Sequence, residues 1–222
     1  MAQIAEDLFL LLLDNASAQP VLDRARRERV LAAAVLLDLA LACRVRPSVD
    51  GEAVEPGRLI ALSVPGPTDP VTGPAFELLQ RRPLRPRTAV KRLAKHTEGH
   101  LAGHLERTGQ IRRVPLPDKR FGHDFAWPLT DRHRAGQARS ALLSALFDRT
   151  PPTPSTAAII SLLHAVDGLG ALLSLNDRGW RWVHARAGEI ALGSWVDESP
   201  TALPEMNLAV TASALRPALR SG

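Results

Sequence analysis

Apolar residues recur at helical spacing along most of the chain and predict a mainly α-helical protein. The clearest helix is predicted over Val21–Ala42, where Leu31, Val35 and Leu39 fall on one face at intervals of four. Ile4–Leu13 is apolar on most sides, as expected for a short buried helix. Further helices are predicted at Ala75–Arg81, at Thr88–Lys95 and Thr97–Arg107 as two short helices or one bent helix, and at Asp131–Asp148.

Two stretches of the chain have the pattern of β-hairpins. Arg44–Ser63 contains an Asp-Gly turn between two short β-prone runs. Ile111–Trp127 has a basic tip, and its Pro115 and Pro117 fit only an edge strand because proline cannot donate to a ladder. The predicted fold is therefore mainly α, a single globular helical domain over residues 1–222 with small β-hairpins, one of which, Ile111–Trp127, projects.

Positive charge is concentrated in one segment of the chain. The formal net charge is +5, but Arg81–Arg120 alone holds twelve Lys and Arg against three acidic residues, a net of +9. The remainder of the chain therefore carries about −4. Such a segment favours an anionic partner, either nucleic acid or lipid headgroups. A solubilising face with no partner is the alternative explanation.

No arrangement of side chains predicts catalysis or a bound cofactor. His96, His100 and His104 repeat at intervals of four, but three such residues span more than two helical turns and cannot all bind one ion. They are predicted to form a half-exposed polar flank of a helix. The Gly-x-Ser-x-Gly elbow and the phosphate-binding Gly-Lys-Ser/Thr loop are missing from the sequence. We expect no enzyme activity, no metal and no cofactor.

The cysteine usage and the N-terminal residues favour a cytoplasmic protein. Cys43 is the single cysteine, so a disulfide framework cannot form, and its apolar neighbours predict a small buried side chain. Glu6 and Asp7 precede the N-terminal apolar run, unlike the basic start of a signal peptide. No run approaches the roughly 20 apolar residues that span a bilayer. We expect a soluble protein or one bound to a membrane surface.

Four sequence blocks occur in an order that resembles a known family. They are "AEDLFLLLLD" at Ala5–Asp14, "LLDLALACRV" at Leu36–Val45, "HLERTGQI" at His104–Ile111, and "FAWPLTD" at the end of the second hairpin. Together they resemble the Golgi phosphoprotein 3-like family, with its bacterial, including actinobacterial, members. The resemblance implies a helix-rich domain, peripheral to membranes, that binds phosphatidylinositol 4-phosphate in a basic pocket.

The resemblance also implies where that pocket lies. Eukaryotic members build it from a Trp and three Arg, which align here with Asp23, Ala32, Lys95 and Glu98, so that only Lys95 keeps a positive charge. Other cations lie close to these positions in the sequence and are candidates to replace the missing ones. The predicted headgroup-binding residues are Arg26, Arg27, Arg92, Lys95 and His100.

The second hairpin is predicted to contact the membrane through its tip. Phe121 follows Lys119 and Arg120, and an exposed ring beside two cations suits an interfacial anchor. A DNA-binding wing would use the cations but gain little from the ring, and a ring folded back on the hairpin is the third alternative. Phe125 and Trp127 share a face predicted to pack on the domain. The family resemblance adds self-association through this hairpin.

Three functions remain open at this level. The favoured one is a cytoplasmic adaptor, peripheral to the inner face of the membrane, that binds anionic phospholipid headgroups such as phosphatidylinositol 4-phosphate. The second is a winged-helix-like nucleic-acid-binding protein, because a basic hairpin follows a helix, although few side chains on that helix suit base reading. The third is a protein-interaction scaffold whose charge is incidental.

Overall fold

The computed structural model describes residues 3–116, 125–173, 176–196 and 202–220 of the chain. Within these ranges the chain forms nine helices and two two-stranded antiparallel ribbons, which confirms the mainly α prediction. The helices are α1 (Gln3–Leu11), α2 (Arg24–Leu41), α3 (Gly73–Arg81), α4 (Pro86–Arg107), α5 (His133–Phe147), α6 (Pro154–Ala165), α7 (Leu169–Leu172), α8 (Asp177–Ala191) and α9 (Leu203–Arg220). The strands are β1 (Val45–Pro47), β2 (Leu59–Ala61), β3 (Val114–Pro115) and β4 (Phe125–Ala126).

Helix α2 is the central element of the core. Every residue from Val30 to Ala40 is buried, so this part of the helix has neighbours on all sides. Helices α1, α4, α6 and α9 pack around it. A helix that is apolar all round must be buried in this way, and the alanines at its centre allow neighbouring helices to approach closely. The predicted helix over Val21–Ala42 is confirmed, beginning three residues later than expected.

A carboxylate of α2 caps the first turn of α1. Asp38 Oδ1 accepts a hydrogen bond from the Ile4 N–H, and its Oδ2 accepts one from the Ala5 N–H, both at 2.9 Å. These bonds satisfy two of the backbone donors that the start of a helix leaves without partners. Burial raises the pKa of Asp38 to about 8, although the two N–H donors oppose this effect. The cap therefore fixes α1 against α2 at the cost of a buried acidic group.

The first ribbon lies where the sequence predicts a hairpin and supports the link between α3 and α4. Val45 pairs with Ala61 and Pro47 with Leu59, and Gly51 in the connecting loop has a φ of +87°. Positive φ is readily adopted by glycine, which explains the Asp-Gly turn. Leu59 also exchanges two backbone hydrogen bonds with Leu84. The short link into α4 is thus held against β2.

The second ribbon follows α4, as predicted. Pro115 pairs with Phe125, and each strand of a two-stranded ribbon has a free edge on which a proline is tolerated. The predicted tip, with Lys119, Arg120 and Phe121, lies outside the described residues.

The aromatic residues at the end of the second ribbon have different neighbours. Trp127 packs edge-on against Phe9, with the ring centroids 6.4 Å apart, and its backbone N–H donates to the Ala18 carbonyl oxygen. The Phe125 ring is instead contacted by the guanidinium of Arg113, which lies 3.5 Å from the ring centroid. Trp127 therefore packs on the domain as predicted, while the ring partner of Phe125 comes from the segment just before β3.

Cys43 is half-buried, whereas the sequence predicts a buried side chain. It follows the C-cap Ala42 of α2 and has a φ of +53°. The N–H of Cys43 bonds to the Ala40 carbonyl and that of Arg44 to the Leu39 carbonyl, which is the Schellman arrangement. The apolar run predicts burial, but this residue occupies the left-handed position that ends the helix, at its edge.

Candidate functional site

The N-terminal half of α4 is rich in cations that its local structure does not require. The helix begins with Pro86, and no acidic residue lies in its first turn. Arg87 lies in the first turn, where the helix dipole disfavours positive charge, and Lys91 follows in the second turn. A sequence selected only for helix stability would place acidic residues there. The stability of the helix therefore does not explain these cations.

The cations at the end of α3 and the start of α4 are exposed and form no ion pair with any described residue. Arg85, which precedes α4, differs because its Nη2 lies 2.6 Å from Glu55 Oε1. No acidic residue occurs in the stretch from 81 to 97. We call the following residues the cationic surface: Arg81, Arg82, Arg87, Lys91, Arg92 and Lys95.

The predicted headgroup residues on α4 fall on two neighbouring faces. Lys91 and Lys95 share a face with Glu98, since they lie seven and three residues before it. Arg92 and His100 share the other face with His96, at intervals of four. Lys95 therefore lies next to Arg92, three residues before it, and is turned away from His100, five residues after it.

Arg27 is a structural residue in this protein. Its side chain is 4% exposed, and its Nε lies 2.8 Å from Glu98 Oε1, joining α2 to α4. Its Nη1 also donates to the Leu22 carbonyl oxygen at 2.7 Å. A buried guanidinium needs such partners, because an unpaired buried charge is strongly destabilising. Arg27 is therefore engaged within the fold and is not presented to solvent.

Arg26 is engaged at the start of α2. Asp23 is the N-cap of this helix and accepts the Arg26 backbone N–H at 3.0 Å, and its other oxygen pairs with the Arg26 side chain. The Arg26 Nη1 also donates to the Asp167 carbonyl oxygen at 3.2 Å. The hydrogen bonds that the Arg26 backbone N–H and side chain donate to Asp23 favour its ionised carboxylate and lower the pKa of Asp23.

A groove of about 240 Å³ lies between α3 and α4. Its floor is apolar and includes one residue of the central helix α2, namely Val35, together with Val71, Pro74, Ala75, Leu78 and Leu93. Its polar lining consists of Glu77, Arg81, Arg92, His96, Thr97 and His100. Sequence analysis selected Arg92 and His100 but missed Arg81 and His96. The signal for Arg81 was available, because it opens the segment in which positive charge is concentrated.

The third histidine of α4 belongs to a different environment. His104 is half-buried, and its Nε2 lies 3.4 Å from Glu6 Oε1, while His96 and His100 are exposed. In the parts of the chain that the structure describes, no three or more His, Cys, Asp or Glu side chains are grouped to hold a metal ion. None of the described helices is long and apolar enough to cross a membrane.

A comparison with known protein families identifies the family of this chain. The sequence model of Golgi phosphoprotein 3 (GPP34) matches residues 4–205, which is most of the chain. The chain belongs to the Golgi phosphoprotein 3 family. A search of curated proteins found no match.

The four positions at which the family resemblance implies a headgroup pocket differ from one another in their surroundings in this chain. Asp23 caps α2, Ala32 is fully buried, and Glu98 is paired with Arg27. Lys95 is exposed and forms no ion pair with a described residue. Three of the four positions therefore serve the fold, and the free cations lie around them on α3 and α4.

Proposed function

We propose that this member of the Golgi phosphoprotein 3 family is a peripheral membrane protein that binds anionic phospholipid headgroups and acts as an adaptor without catalytic activity. The observation that carries the proposal is the cationic surface, whose six residues are exposed and form no ion pair within the described ranges. Family membership is consistent with this role.

The size of the cationic surface suits reversible membrane binding. A basic residue near an anionic membrane surface contributes about 1 kcal/mol. Six such residues give at most about 6 kcal/mol, which corresponds to a Kd of roughly 10–100 μM. The cytoplasmic leaflet is rich in anionic lipids, which attract a cationic surface. We therefore propose that the protein binds the inner face of the membrane.

The proposal favours general recognition of anionic lipid over a dedicated phosphatidylinositol 4-phosphate pocket. At the positions where eukaryotic relatives are expected to hold that headgroup, only Lys95 offers a free cation, and Glu98 introduces a carboxylate. A phosphoinositide remains a suitable ligand because it carries more negative charge than other phospholipids. We expect its advantage to follow its charge.

Vesicle flotation tests the proposal directly. The protein is mixed with neutral phosphatidylcholine vesicles, with vesicles that also contain phosphatidylserine, and with vesicles that contain phosphatidylinositol 4-phosphate. We expect binding only to the two anionic preparations. A gel shift with duplex DNA under the same salt conditions tests the nucleic-acid alternative, and DNA binding without vesicle binding would overturn the proposal.

A charge-matched pair of variants locates the surface. Lys91→Ala with Lys95→Ala removes two cations from α4, and we expect vesicle binding to weaken roughly tenfold or more. Arg178→Ala with Arg181→Ala removes two exposed cations from α8, which packs on α5 and α6. This control should bind nearly as well as the unchanged protein. Equal losses in both variants would contradict a defined surface.

A further inference from the structure

The groove between α3 and α4 combines two chemistries that the cationic surface alone does not need. Arg81 and Arg92 belong to the cationic surface and also line the groove, whereas Lys91 and Lys95 do not line it. Beneath these two arginines the floor is apolar and reaches Val35 of the central helix. A surface that only attracted anionic membranes would not require an apolar recess beside its cations.

The charges around the groove favour an anion at one end. Arg81 ends α3, and on each of the two helices the groove residue nearest in sequence to their link is an arginine, namely Arg81 on α3 and Arg92 on α4. Glu77 is the single acidic residue among those lining the groove. The arginines therefore outnumber the carboxylate, and guanidinium groups bind phosphate and carboxylate well.

The size of the groove indicates that it holds part of a larger molecule. Its volume of about 240 Å³ lies below the roughly 300–1,000 Å³ of sites that enclose a whole small ligand. An apolar floor with a cationic end is suited to the junction of an amphiphile, where a charged head meets a hydrocarbon segment. A fully polar ligand would leave the floor without a partner.

We propose that this groove binds the anionic head and the adjoining hydrocarbon segment of a single amphiphile, with Arg81 and Arg92 on the phosphate and Val35, Leu78 and Leu93 on the hydrocarbon. The inference rests on the proposed function, because the amphiphile is an anionic phospholipid drawn from the membrane to which the cationic surface binds. It adds a defined lipid site to what would otherwise be diffuse charge attraction.

Three soluble probes separate the two chemistries. Calorimetric titration of the full-length protein uses octyl phosphate below its micelle concentration, inorganic phosphate, and octanol. We expect octyl phosphate to bind at least roughly tenfold more tightly than either of the others, since both the charge and the buried methylenes contribute. Inorganic phosphate binding as tightly as octyl phosphate would overturn the proposal, because the floor would then have no role. Octanol binding as tightly would remove the role of the arginines.

Paired variants place the probe in the groove. Arg81→Gln and Arg92→Gln should each weaken octyl phosphate binding roughly tenfold, as expected for the loss of a charged hydrogen-bonding partner. Arg87→Gln, an exposed cation of the same surface outside the groove, should leave octyl phosphate binding unchanged. Thermal unfolding of each variant checks that the fold is retained. An equal loss of octyl phosphate binding in Arg87→Gln would attribute the effect to diffuse charge and would contradict a defined site in the groove.

The outcome distinguishes this inference from the proposed function. If octyl phosphate does not bind while vesicle flotation still depends on Lys91 and Lys95, the groove proposal fails and the cationic surface stands. If flotation on anionic vesicles fails as well, both proposals fail. If octyl phosphate binds but vesicles do not, the groove is an amphiphile site and the membrane role is wrong.

Discussion

The starts of α1 and α4 both concentrate charge of one sign, but the fold treats them in opposite ways. At α1, Glu6 and Asp7 are both bound by Arg134 of α5, with Asp7 Oδ1 2.6 Å from Arg134 Nε. At α4, Arg87 and Lys91 are exposed and form no ion pair with any described residue. Charge that the fold neutralises serves stability, whereas charge left in solvent is available to a partner.

Burial decides how strongly the acidic pair depends on its partner. The Glu6 side chain is 5% exposed, and among the described residues its only basic partner besides Arg134 is the His104 ring, at 3.4 Å. Burial also raises the pKa of Asp7, although the neighbouring Arg134 opposes that shift. Removing the cation would leave two carboxylates in a poorly solvated place, which is the costly way to break a buried ion pair.

The largest effect is therefore expected from Arg134→Met. It should lower the free energy of unfolding by about 3 kcal/mol, because Glu6 and Asp7 lose their shared partner. Urea denaturation followed by circular dichroism measures the change. Arg139→Met, on the same helix and without an ion pair among the described residues, is the matched control and should change stability little. Equal stability of both variants would contradict the view that the acidic pair of α1, unlike the exposed cations of α4, is neutralised for stability.

Breaking the ion pair between α2 and α4 should cause the second-largest loss of stability. Arg27→Met leaves Glu98 without its cation and should cost about 2 kcal/mol, less than Arg134→Met because Glu98 retains some contact with solvent. The double variant Arg27→Met with Glu98→Leu should recover part of this loss, since it removes the uncompensated carboxylate as well. A double variant less stable than the sum of the two single changes would contradict this account.

A third carboxylate near α1, that of Asp38, makes the free energy of unfolding depend on pH. The pKa of Asp38 is about 8 in the folded protein and near 3.8 in an unfolded chain, so between these values the folded state holds a proton that the unfolded state lacks. This group therefore makes the free energy of unfolding fall as the pH rises through that range. Asp38→Asn should cost about 1 kcal/mol at pH 5, because the amide replaces only one acceptor oxygen.

The measurement for Asp38 is urea denaturation at several pH values between 4 and 8. The fall in stability with rising pH should be shallower in Asp38→Asn than in the unchanged protein. An identical slope in both proteins would show that Asp38 is ionised throughout and that its two N–H donors outweigh burial.

The smallest effect has the opposite sign. Arg87 lies in the first turn of α4, where its positive charge opposes the helix dipole, so Arg87→Gln should raise the free energy of unfolding by about 0.3 kcal/mol. The same change should weaken binding to anionic vesicles, since it removes one cation of the cationic surface. Thermal unfolding and flotation of one preparation measure both quantities. A gain in stability with a loss of binding would identify charge retained for a partner.

The sequence predicts elements whose signals are local. The apolar spacing of α2 and the Asp-Gly turn of the first ribbon depend on neighbouring residues, and both are confirmed. The start of α6 shows that neighbouring residues can offer competing local signals. Thr153 is the N-cap and accepts the Thr156 N–H, with Pro154 in the first helical position, although Ser155 and Thr156 also suit a cap.

The candidate site was harder to predict because its geometry depends on distant residues. Nothing near Arg27 in the sequence shows that it is buried, since its partner Glu98 lies 71 residues away. Likewise, the apolar floor of the groove combines Val35 with residues of α3 and α4, which are brought together only by packing on α2. Charge concentration in the sequence indicates the segment that contains the cationic surface, but it does not separate the exposed cations from those bound within the fold.

The burial of α1 has a consequence for how the chain is made on the ribosome. This helix leaves the ribosome well before α5 and α6, which partly cover its apolar residues and end at Phe147 and Ala165. At about 5–20 residues per second, the ribosome needs roughly 8–30 s to synthesise the residues between α1 and the end of α6. During that time α1 lacks its final neighbours and is exposed to chaperones that bind apolar segments. Helix α1 is therefore made well before its covering helices are complete.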